Sequence, residues 1–225
     1  MQQLLLDIHP TPLPDLTNFV PGRNRELLQL LFDILSGQTK ERFIYLWGTS
    51  GCGKTHLLQA VISGYVQKAA EAVYCSAKNH HEFSFDSAVN CVAVDDIDAL
   101  SAHHQIDLFN LYNQFRNESR TVLLVSGSVA PMHLALRQDL ATRLGWGLVY
   151  QVHELSEVEK MHAMQAHAEE CGFELPQEIC FYLLRHGRRD LPSLMMTLDA
   201  LNRYSLMHQR QMTIPLLREL LRVIP

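Results

Sequence analysis

The segment GTSGCGKT, residues 48–55, constrains the fold of this chain more than any other feature. It fits the pattern of Gly, four residues, Gly, Lys and then Ser or Thr, and it separates an apolar run, FIYLW, from an amphipathic stretch. Glycines in such a loop let successive backbone N–H groups converge on phosphate oxygens, and the N-terminus of the following helix adds its dipole. We therefore expect a strand, loop and helix that bind a nucleoside di- or triphosphate.

The residues of this phosphate loop have distinct expected roles. Lys54 is expected to bridge the β- and γ-phosphates, and the Thr55 hydroxyl is expected to coordinate Mg²⁺. The predicted nucleotide-binding residues of this segment are Gly48, Thr49, Ser50, Gly51, Cys52, Gly53, Lys54, Thr55 and His56. A plain glycine-rich turn is the alternative, and the strand and helix patterns on either side argue against it.

The run CVAVDDID places two adjacent carboxylates at the end of a predicted buried strand. Ligands of parallel α/β sheets bind at the carboxyl ends of the strands. Asp95 is therefore a candidate for holding Mg²⁺ through water, and Asp96 for orienting or deprotonating an attacking water. Two solvated carboxylates at a strand end are the alternative, and the phosphate loop upstream favours the functional interpretation.

Five short apolar runs alternate with amphipathic segments over the first two thirds of the chain. The runs are RFIYLW, AVYCS, NCVAVDD, TVLLVSG and GLVYQV. This alternation predicts an α/β domain with a parallel five-stranded sheet and helices on both faces. After Leu155 only helical patterns follow, opened by a capping box of Ser156 and Glu159. We expect an N-terminal arm over 1–22, the α/β domain over 23–154 and a small helical domain over 155–225.

The overall charge of the 225-residue chain restricts its partners and compartment. A net charge of -5 argues against a generally basic surface that blankets nucleic acid, so any DNA contact is expected to be local or indirect. No apolar run is long enough to span a bilayer, and the N-terminus lacks the basic region of a signal peptide, so we expect a cytoplasmic protein without membrane contact. The five cysteines are expected to be reduced thiols, and neither adjacent histidine pair has the spacing of a zinc site.

Six segments occur in an order that resembles a known family. They are FVPGRN, LWGTSGCGKTHLLQA, VAVDDIDAL, LFNLYNQF, DLATRLGWGLVYQV and RDLPSLMMTLDALNRYS. Together they resemble AAA+ ATPases of the replication-initiator group over nearly the whole chain, most of all the small regulators that inactivate the bacterial initiator DnaA. The resemblance implies an AAA+ P-loop NTPase core followed by an all-α lid.

The resemblance also implies roles for residues outside the phosphate loop. Phe19 and Val20 are expected to border the adenine pocket, Arg143 of DLATRL to be an arginine finger that acts in trans, and Arg189 of RDLPSL to be the sensor-2 arginine of the lid. Two plainer interpretations stay open: Arg143 as a helix-end cation that satisfies carbonyls, and Arg189 as part of a solvated basic face.

One segment departs from the family pattern. The initiator group usually places Asp or Asn at the end of the fourth strand run, the sensor-1 position, whereas this chain has Ser126, Gly127 and Ser128. A short hydroxyl reaches less far toward an attacking water. We therefore expect at most weak intrinsic ATP hydrolysis, with nucleotide binding preserved.

The N-terminal residues resemble a short peptide by which replication proteins dock on the DNA sliding clamp. Gln3, Leu4, Leu6 and Ile8 provide the glutamine and the apolar anchors of that peptide, and a Pro-rich tether follows them. The start of a strand is the plainer alternative.

The combined expectation is a negative regulator of replication initiation rather than an autonomous enzyme. With ADP or ATP and Mg²⁺ bound, the protein is expected to dock on the DNA-loaded sliding clamp, the DNA polymerase III beta subunit, and to stimulate hydrolysis of ATP held by the initiator DnaA. DNA is expected to be contacted mainly through the clamp, since the sequence ends at Pro225 without the DNA-reading domain of the initiator. An ATP-driven remodeller or helicase loader and a small-molecule kinase are the alternatives, and self-association stays open.

Overall fold

The computed structural model describes residues 14–79, 89–118, 120–187 and 190–223. Contacts between Cα atoms divide these residues into two compact units, one that ends at Glu154 and one that begins at Leu155. Within the described ranges, no helix combines the length and apolar character that crossing a membrane requires.

The first unit is built on a parallel sheet. Its strands are β1 (Phe43–Trp47), β2 (Ala72–Ser76), β3 (Cys91–Asp95), β4 (Val122–Gly127) and β5 (Leu148–Gln151). These five strands of the described chain form one sheet in the order β2-β3-β4-β1-β5, and every neighbouring pair is parallel. The predicted parallel five-stranded sheet is confirmed.

Helices cover both faces of this sheet because side chains of successive strand residues point to opposite faces. The helices are α1 (Arg25–Ser36), α2 (Lys54–Gln67), α3 (Ala102–Glu118) and α4 (Gln138–Leu144). In β1, Ile44 and Leu46 join the core formed with α1 and α2, whereas Tyr45 joins the core formed with α3 and α4. Every residue of β3 and β4 is buried, as expected for strands covered on both faces.

Residues 14–22 belong to the predicted arm but pack against this unit. Leu16 is buried in the core that α1 and α2 share, and the Asp15 side chain caps the short helical turn Leu16–Asn18 by accepting the backbone N–H of Thr17. The segment is therefore held by both apolar burial and a cap.

The second unit is entirely helical in its described residues. It consists of α5 (Glu157–Glu170), α6 (Gln177–His186), α7 (Leu191–His208) and α8 (Ile214–Val223). Ser156 and Glu159 form the predicted capping box at the start of α5. Leu194, Leu198 and Leu201 lie one helical turn apart on α7 and are buried in the core of this unit. The predicted helical region is confirmed.

Candidate nucleotide-binding site

The phosphate loop joins β1 to α2 and is shaped by two glycines that leave no space for a side chain. Gly53 has a φ of 105°, and a Cβ atom there would lie 2.7 Å from the Cε2 atom of the Phe19 ring. A Cβ atom at Gly48 would lie 2.4 Å from the carbonyl oxygen of Val152. The sequence pattern therefore reflects real limits: a side chain at Gly48 would clash with backbone, and the positive φ at Gly53 is one that L side chains rarely adopt.

Lys54 is the first residue of α2, and its ammonium lies inside the loop. Its Nζ atom donates to the carbonyl oxygens of Gly48 at 2.8 Å and Thr49 at 3.0 Å. The residue is only 8% exposed. A cation held at a helix N-terminus adds to the positive end of the helix dipole, so this place favours an anion such as phosphate.

Asp95, at the end of β3, is the centre of a buried hydrogen-bond network. Its carboxylate accepts the Thr55 hydroxyl at 2.6 Å, the Tyr74 hydroxyl at 2.8 Å and the hydroxyl of Ser126. The structure thus brings together the two residues predicted to hold Mg²⁺, Thr55 and Asp95. Hydroxyl and carboxylate oxygens are ligands that Mg²⁺ accepts, so this donor set fits the ion.

Sequence reasoning missed Tyr74 in this network. Burial and the bond to Asp95 raise the pKa of the Tyr74 phenol, which therefore remains a protonated donor at neutral pH. The only signal in the sequence was a tyrosine within β2, a residue type that strands favour for packing alone.

The sensor-1 serines face the carboxylates of the neighbouring segment. Ser126 is fully buried; its hydroxyl donates to Asp95 and accepts the backbone N–H of Asp96 at 3.1 Å. The backbone N–H and the hydroxyl of Ser128 both donate to the carboxylate of Asp98, each at 2.7 Å. Each serine hydroxyl therefore donates its hydrogen bond to a carboxylate of the protein.

Asp96, the predicted water-activating residue, makes an ion pair with Lys78. The Lys78 Nζ atom lies 2.6 Å from the Asp96 carboxylate, and this contact raises the pKa of Lys78. Asp96 has a left-handed backbone, with φ 56° and ψ 46°, that few non-glycine residues adopt. Lys78 was also missed from the sequence because no motif marks it.

The first described residues of the chain lie beside the phosphate loop. The Phe19 and His56 rings are 5.6 Å apart between centroids, and the Nε2 atom of His56 lies 3.1 Å from the carbonyl oxygen of Asp15. Val20 follows, half-buried. This arrangement places two aromatic rings next to the loop, and the role of Phe19 and Val20 at the base pocket stays a prediction.

The remaining loop residues differ in exposure. Thr49, Ser50 and Gly51 are exposed, whereas Cys52 is buried with its Sγ atom 3.9 Å from the Lys54 Nζ atom. Burial raises the pKa of the Cys52 thiol. Arg189 and the predicted clamp-binding residues Gln3, Leu4, Leu6 and Ile8 lie outside the described residues.

Arg143, near the end of α4, rests on aromatic side chains. Its guanidinium carbon lies 4.0 Å from the centroid of the Trp146 ring and 5.7 Å from that of Phe109. The carbonyl oxygens of Ala141 and Arg143 accept the backbone N–H groups of Gly145 and Trp146, respectively. Two of the carbonyls at this helix end are thus bonded by the backbone, and the guanidinium of Arg143 lies against aromatic rings.

Two family models together match most of the chain. The model of the bacterial DnaA ATPase domain matches residues 15–151, and the model of the Hda lid domain matches residues 157–221. The first match covers more than half of the sequence and contains the phosphate loop, Asp95 and Arg143. The second match begins at the first residue of α5.

Solved structures show where this fold occurs. Domain III of the Thermotoga maritima initiation protein DnaA is 20% identical with a TM-score of 0.76, over 95% of this chain and 98% of that domain. AMPPCP-bound DnaA from Aquifex aeolicus is 21% identical with a TM-score of 0.72, over 87% of this chain and 66% of that one. A Thermotoga maritima RuvB variant is 14% identical with a TM-score of 0.70, over 94% and 72%. The chain therefore belongs to the bacterial DnaA ATPase-domain family of AAA+ proteins of replication initiation, and its C-terminal helical unit is similar to the Hda lid.

Proposed function

We propose that this protein is a negative regulator of replication initiation that acts on the initiator DnaA. With nucleotide bound, it docks on the DNA-loaded sliding clamp and stimulates hydrolysis of the ATP that DnaA holds. Conversion of DnaA to its ADP form then prevents further initiation.

One observation carries this proposal: the guanidinium of Arg143 rests on aromatic faces. Arg143 is itself half-buried, and Trp146, its main support, is 54% exposed, so the pair lies at the surface of its unit. An aromatic face orients a guanidinium without consuming its N–H donors, which stay available for phosphate oxygens. An arginine finger supplied by one subunit stabilises the charge that develops during phosphoryl transfer in its neighbour.

The protein's own site supports nucleotide binding more than hydrolysis. Lys54 and the loop amides are suited to hold the phosphates, and Thr55 and Asp95 to hold Mg²⁺, which neutralises phosphate charge when bound. The two sensor-1 hydroxyls donate their protons to Asp95 and Asp98, so neither can also donate a hydrogen bond to an attacking water. We propose that the resident nucleotide is ADP and that it fixes the shape in which Arg143 meets its partner.

A reconstituted reaction tests the proposal directly. ATP-loaded DnaA is incubated with this protein, with the clamp loaded on DNA, with both and with neither, and the DnaA-bound nucleotide is quantified. We expect rapid hydrolysis only when both are present. Hydrolysis that needs only this protein would show that stimulation does not require the clamp, and the absence of hydrolysis in all mixtures would refute the proposal.

The variant Arg143→Ala tests the proposed finger in the same reaction. We expect stimulation to fall by about 10³-fold or more, the lower range for a lost finger, while folding and clamp binding are unchanged. Arg137→Ala is the matched control, since Arg137 precedes the same helix but is paired with Asp139. Equal losses in both variants would mean that α4 contributes general surface charge, and full activity of Arg143→Ala would place the finger elsewhere.

The double variant Leu4→Ala, Leu6→Ala tests clamp docking. These changes remove two apolar anchors of the proposed peptide, so clamp affinity should fall below detection in surface plasmon resonance while nucleotide affinity stays constant. Leu5→Ala is the control because Leu5 occupies the position between the anchors. If the double variant binds the clamp with unchanged affinity, these residues do not form the docking peptide.

A further inference from the structure

The second unit contains a cluster of three metal-binding side chains far in sequence from the phosphate loop. His167 lies on α5, Cys171 directly follows α5 as its C-terminal cap, and Asp199 lies on α7. Their ligand atoms all lie within 4.8 Å of one another: the His167 Nε2 atom is 2.7 Å from the Asp199 Oδ1 atom and 3.8 Å from the Cys171 Sγ atom. This arrangement is more specific than a surface ion pair because it adds a thiol to the His–Asp contact.

The distances are close to those that a tetrahedral ion imposes. Zinc binds nitrogen and oxygen at about 2.0–2.2 Å and sulfur at about 2.3 Å, which puts neighbouring ligand atoms roughly 3.4–3.6 Å apart. The two distances from the His167 Nε2 atom fall on either side of this range, and the Asp199 and Cys171 ligand atoms lie within 4.8 Å of each other. Side-chain rotations that shorten the longer separations would bring all three atoms to one ion. The spacing of four residues between His167 and Cys171 places both on one side of α5, as ligands of a shared ion require.

The charges of the three side chains and their exposure to solvent also suit a divalent cation. A thiolate and a carboxylate together carry two negative charges, which balance one Zn²⁺ when the imidazole is neutral. Cys171 is exposed, and His167 and Asp199 are half-buried, so an ion can enter from solvent. Three protein ligands leave a fourth tetrahedral position for water or for a ligand from a partner protein.

We propose that His167, Cys171 and Asp199 form a Zn²⁺ site that joins α5 to α7 in the helical unit. When zinc binds, the S–H bond of Cys171 breaks and its proton passes to solvent, and the proton that the His167 Nε2 atom shares with Asp199 leaves that nitrogen for Nδ1 or for solvent. Sulfur–zinc, nitrogen–zinc and oxygen–zinc bonds form in their place, and no oxidation is involved. Because the bound ion crosslinks two helices of the folded state, it stabilises this unit, and the stabilisation rises with the logarithm of its affinity.

Cobalt substitution gives a direct test with the reduced, full-length protein. Co²⁺ is titrated in the presence of a non-thiol reductant, and the spectrum is followed for thiolate-to-cobalt charge transfer and for the visible bands of tetrahedral cobalt. We expect one equivalent to bind and Zn²⁺ to displace it. A spectrum without thiolate charge transfer would overturn the proposal.

Variants separate a metal site from the His–Asp contact. Cys171→Ser, His167→Ala and Asp199→Asn should each lower metal affinity by more than about tenfold, since even residues behind the ligands contribute that much. His162→Ala is the control because His162 is exposed on the same helix and lies outside the cluster. If Cys171→Ser keeps the wild-type affinity, or if Zn²⁺ fails to raise the thermal midpoint of the wild-type protein, the cluster is only an ion pair and the proposal is wrong.

Discussion

Asp95 shows, at the scale of a single residue, how this site depends on buried hydrogen bonds. The residue is 1% exposed and accepts hydroxyl protons from three different segments. A buried carboxylate is tolerated only when such donors replace water. The network therefore contributes both to the stability of the fold and to the geometry of the site. Removal of one donor should lower the free energy of unfolding even when no nucleotide is bound.

Ser126→Ala tests this dependence. The change removes a donor from buried Asp95 and should lower the free energy of unfolding by about 1–3 kcal/mol, as measured by urea denaturation followed by circular dichroism. Ser128→Ala is the control; its hydroxyl bonds to Asp98 at the exposed surface, where water can replace it. A larger loss for Ser128→Ala than for Ser126→Ala would contradict this view of the network.

The residues that the sequence could and could not predict differ in one physical respect. Lys54, Thr55 and Asp95 were predictable because phosphate and magnesium binding demand fixed residue types at fixed spacing in one local unit. Tyr74 and Lys78 were not predictable, since they reach Asp95 and Asp96 only after β2 has paired with β3. Tertiary pairing, not local pattern, gives them their roles.

The packing of α3 beside α4 brings two arginines to the ring of Trp146. Trp146, just after α4, is stacked on one side by Arg143 and approached by Arg116 of α3, whose guanidinium carbon lies 4.7 Å from the ring centroid. Because two guanidinium groups contact the same indole, they restrict the orientation of the Trp146 ring. The ring in turn restricts the orientation of the Arg143 guanidinium. Contacts of this kind contribute roughly 0.5–2 kcal/mol each.

We therefore expect Trp146 to position the finger under the proposed function. Trp146→Ala should reduce stimulation of DnaA-bound hydrolysis by roughly tenfold, which corresponds to 1.4 kcal/mol of lost orientation. The loss should appear in the maximal rate rather than in the concentration needed for half-maximal stimulation. Trp146→Phe keeps an aromatic face and should retain most of the activity; equal failure of both variants would argue against stacking as the cause.

The sequence predicts which segments form strands, but it does not predict the order of those strands in the sheet. Short apolar runs indicate buried strands wherever they occur. The order requires β1 to lie between β4 and β5, pairing Phe43 with Leu123 and Ile44 with Leu148. The spacing of apolar residues along the sequence does not indicate which two strands are neighbours in the sheet.

Over the whole molecule, each unit has its own hydrophobic core. The core of the first unit divides into two clusters on the two faces of the sheet, and the second unit has a cluster of its own. Nucleotide binding is expected to stabilise the unit that contains the phosphate loop, because a ligand that binds only the folded state shifts the folding equilibrium.

ADP with Mg²⁺ should raise the thermal midpoint of the protein in scanning calorimetry. At a concentration of 100 times its dissociation constant, the expected stabilisation is about 2.7 kcal/mol. Lys54→Ala should lose most of this shift because it removes the phosphate-facing cation, whereas exposed Lys40→Ala should keep it. An unchanged shift in Lys54→Ala would refute the assigned role of the loop lysine.

The network at Asp95 also has a kinetic consequence. Its donors lie 40, 21 and 31 residues from Asp95 along the chain, so the loops between them must all close before the network exists. Secondary structure can form earlier from local contacts. In a refolding experiment, recovery of binding to a fluorescent nucleotide should therefore lag behind recovery of the far-ultraviolet signal, which makes the ligand a reporter of long-range chain assembly rather than of secondary structure.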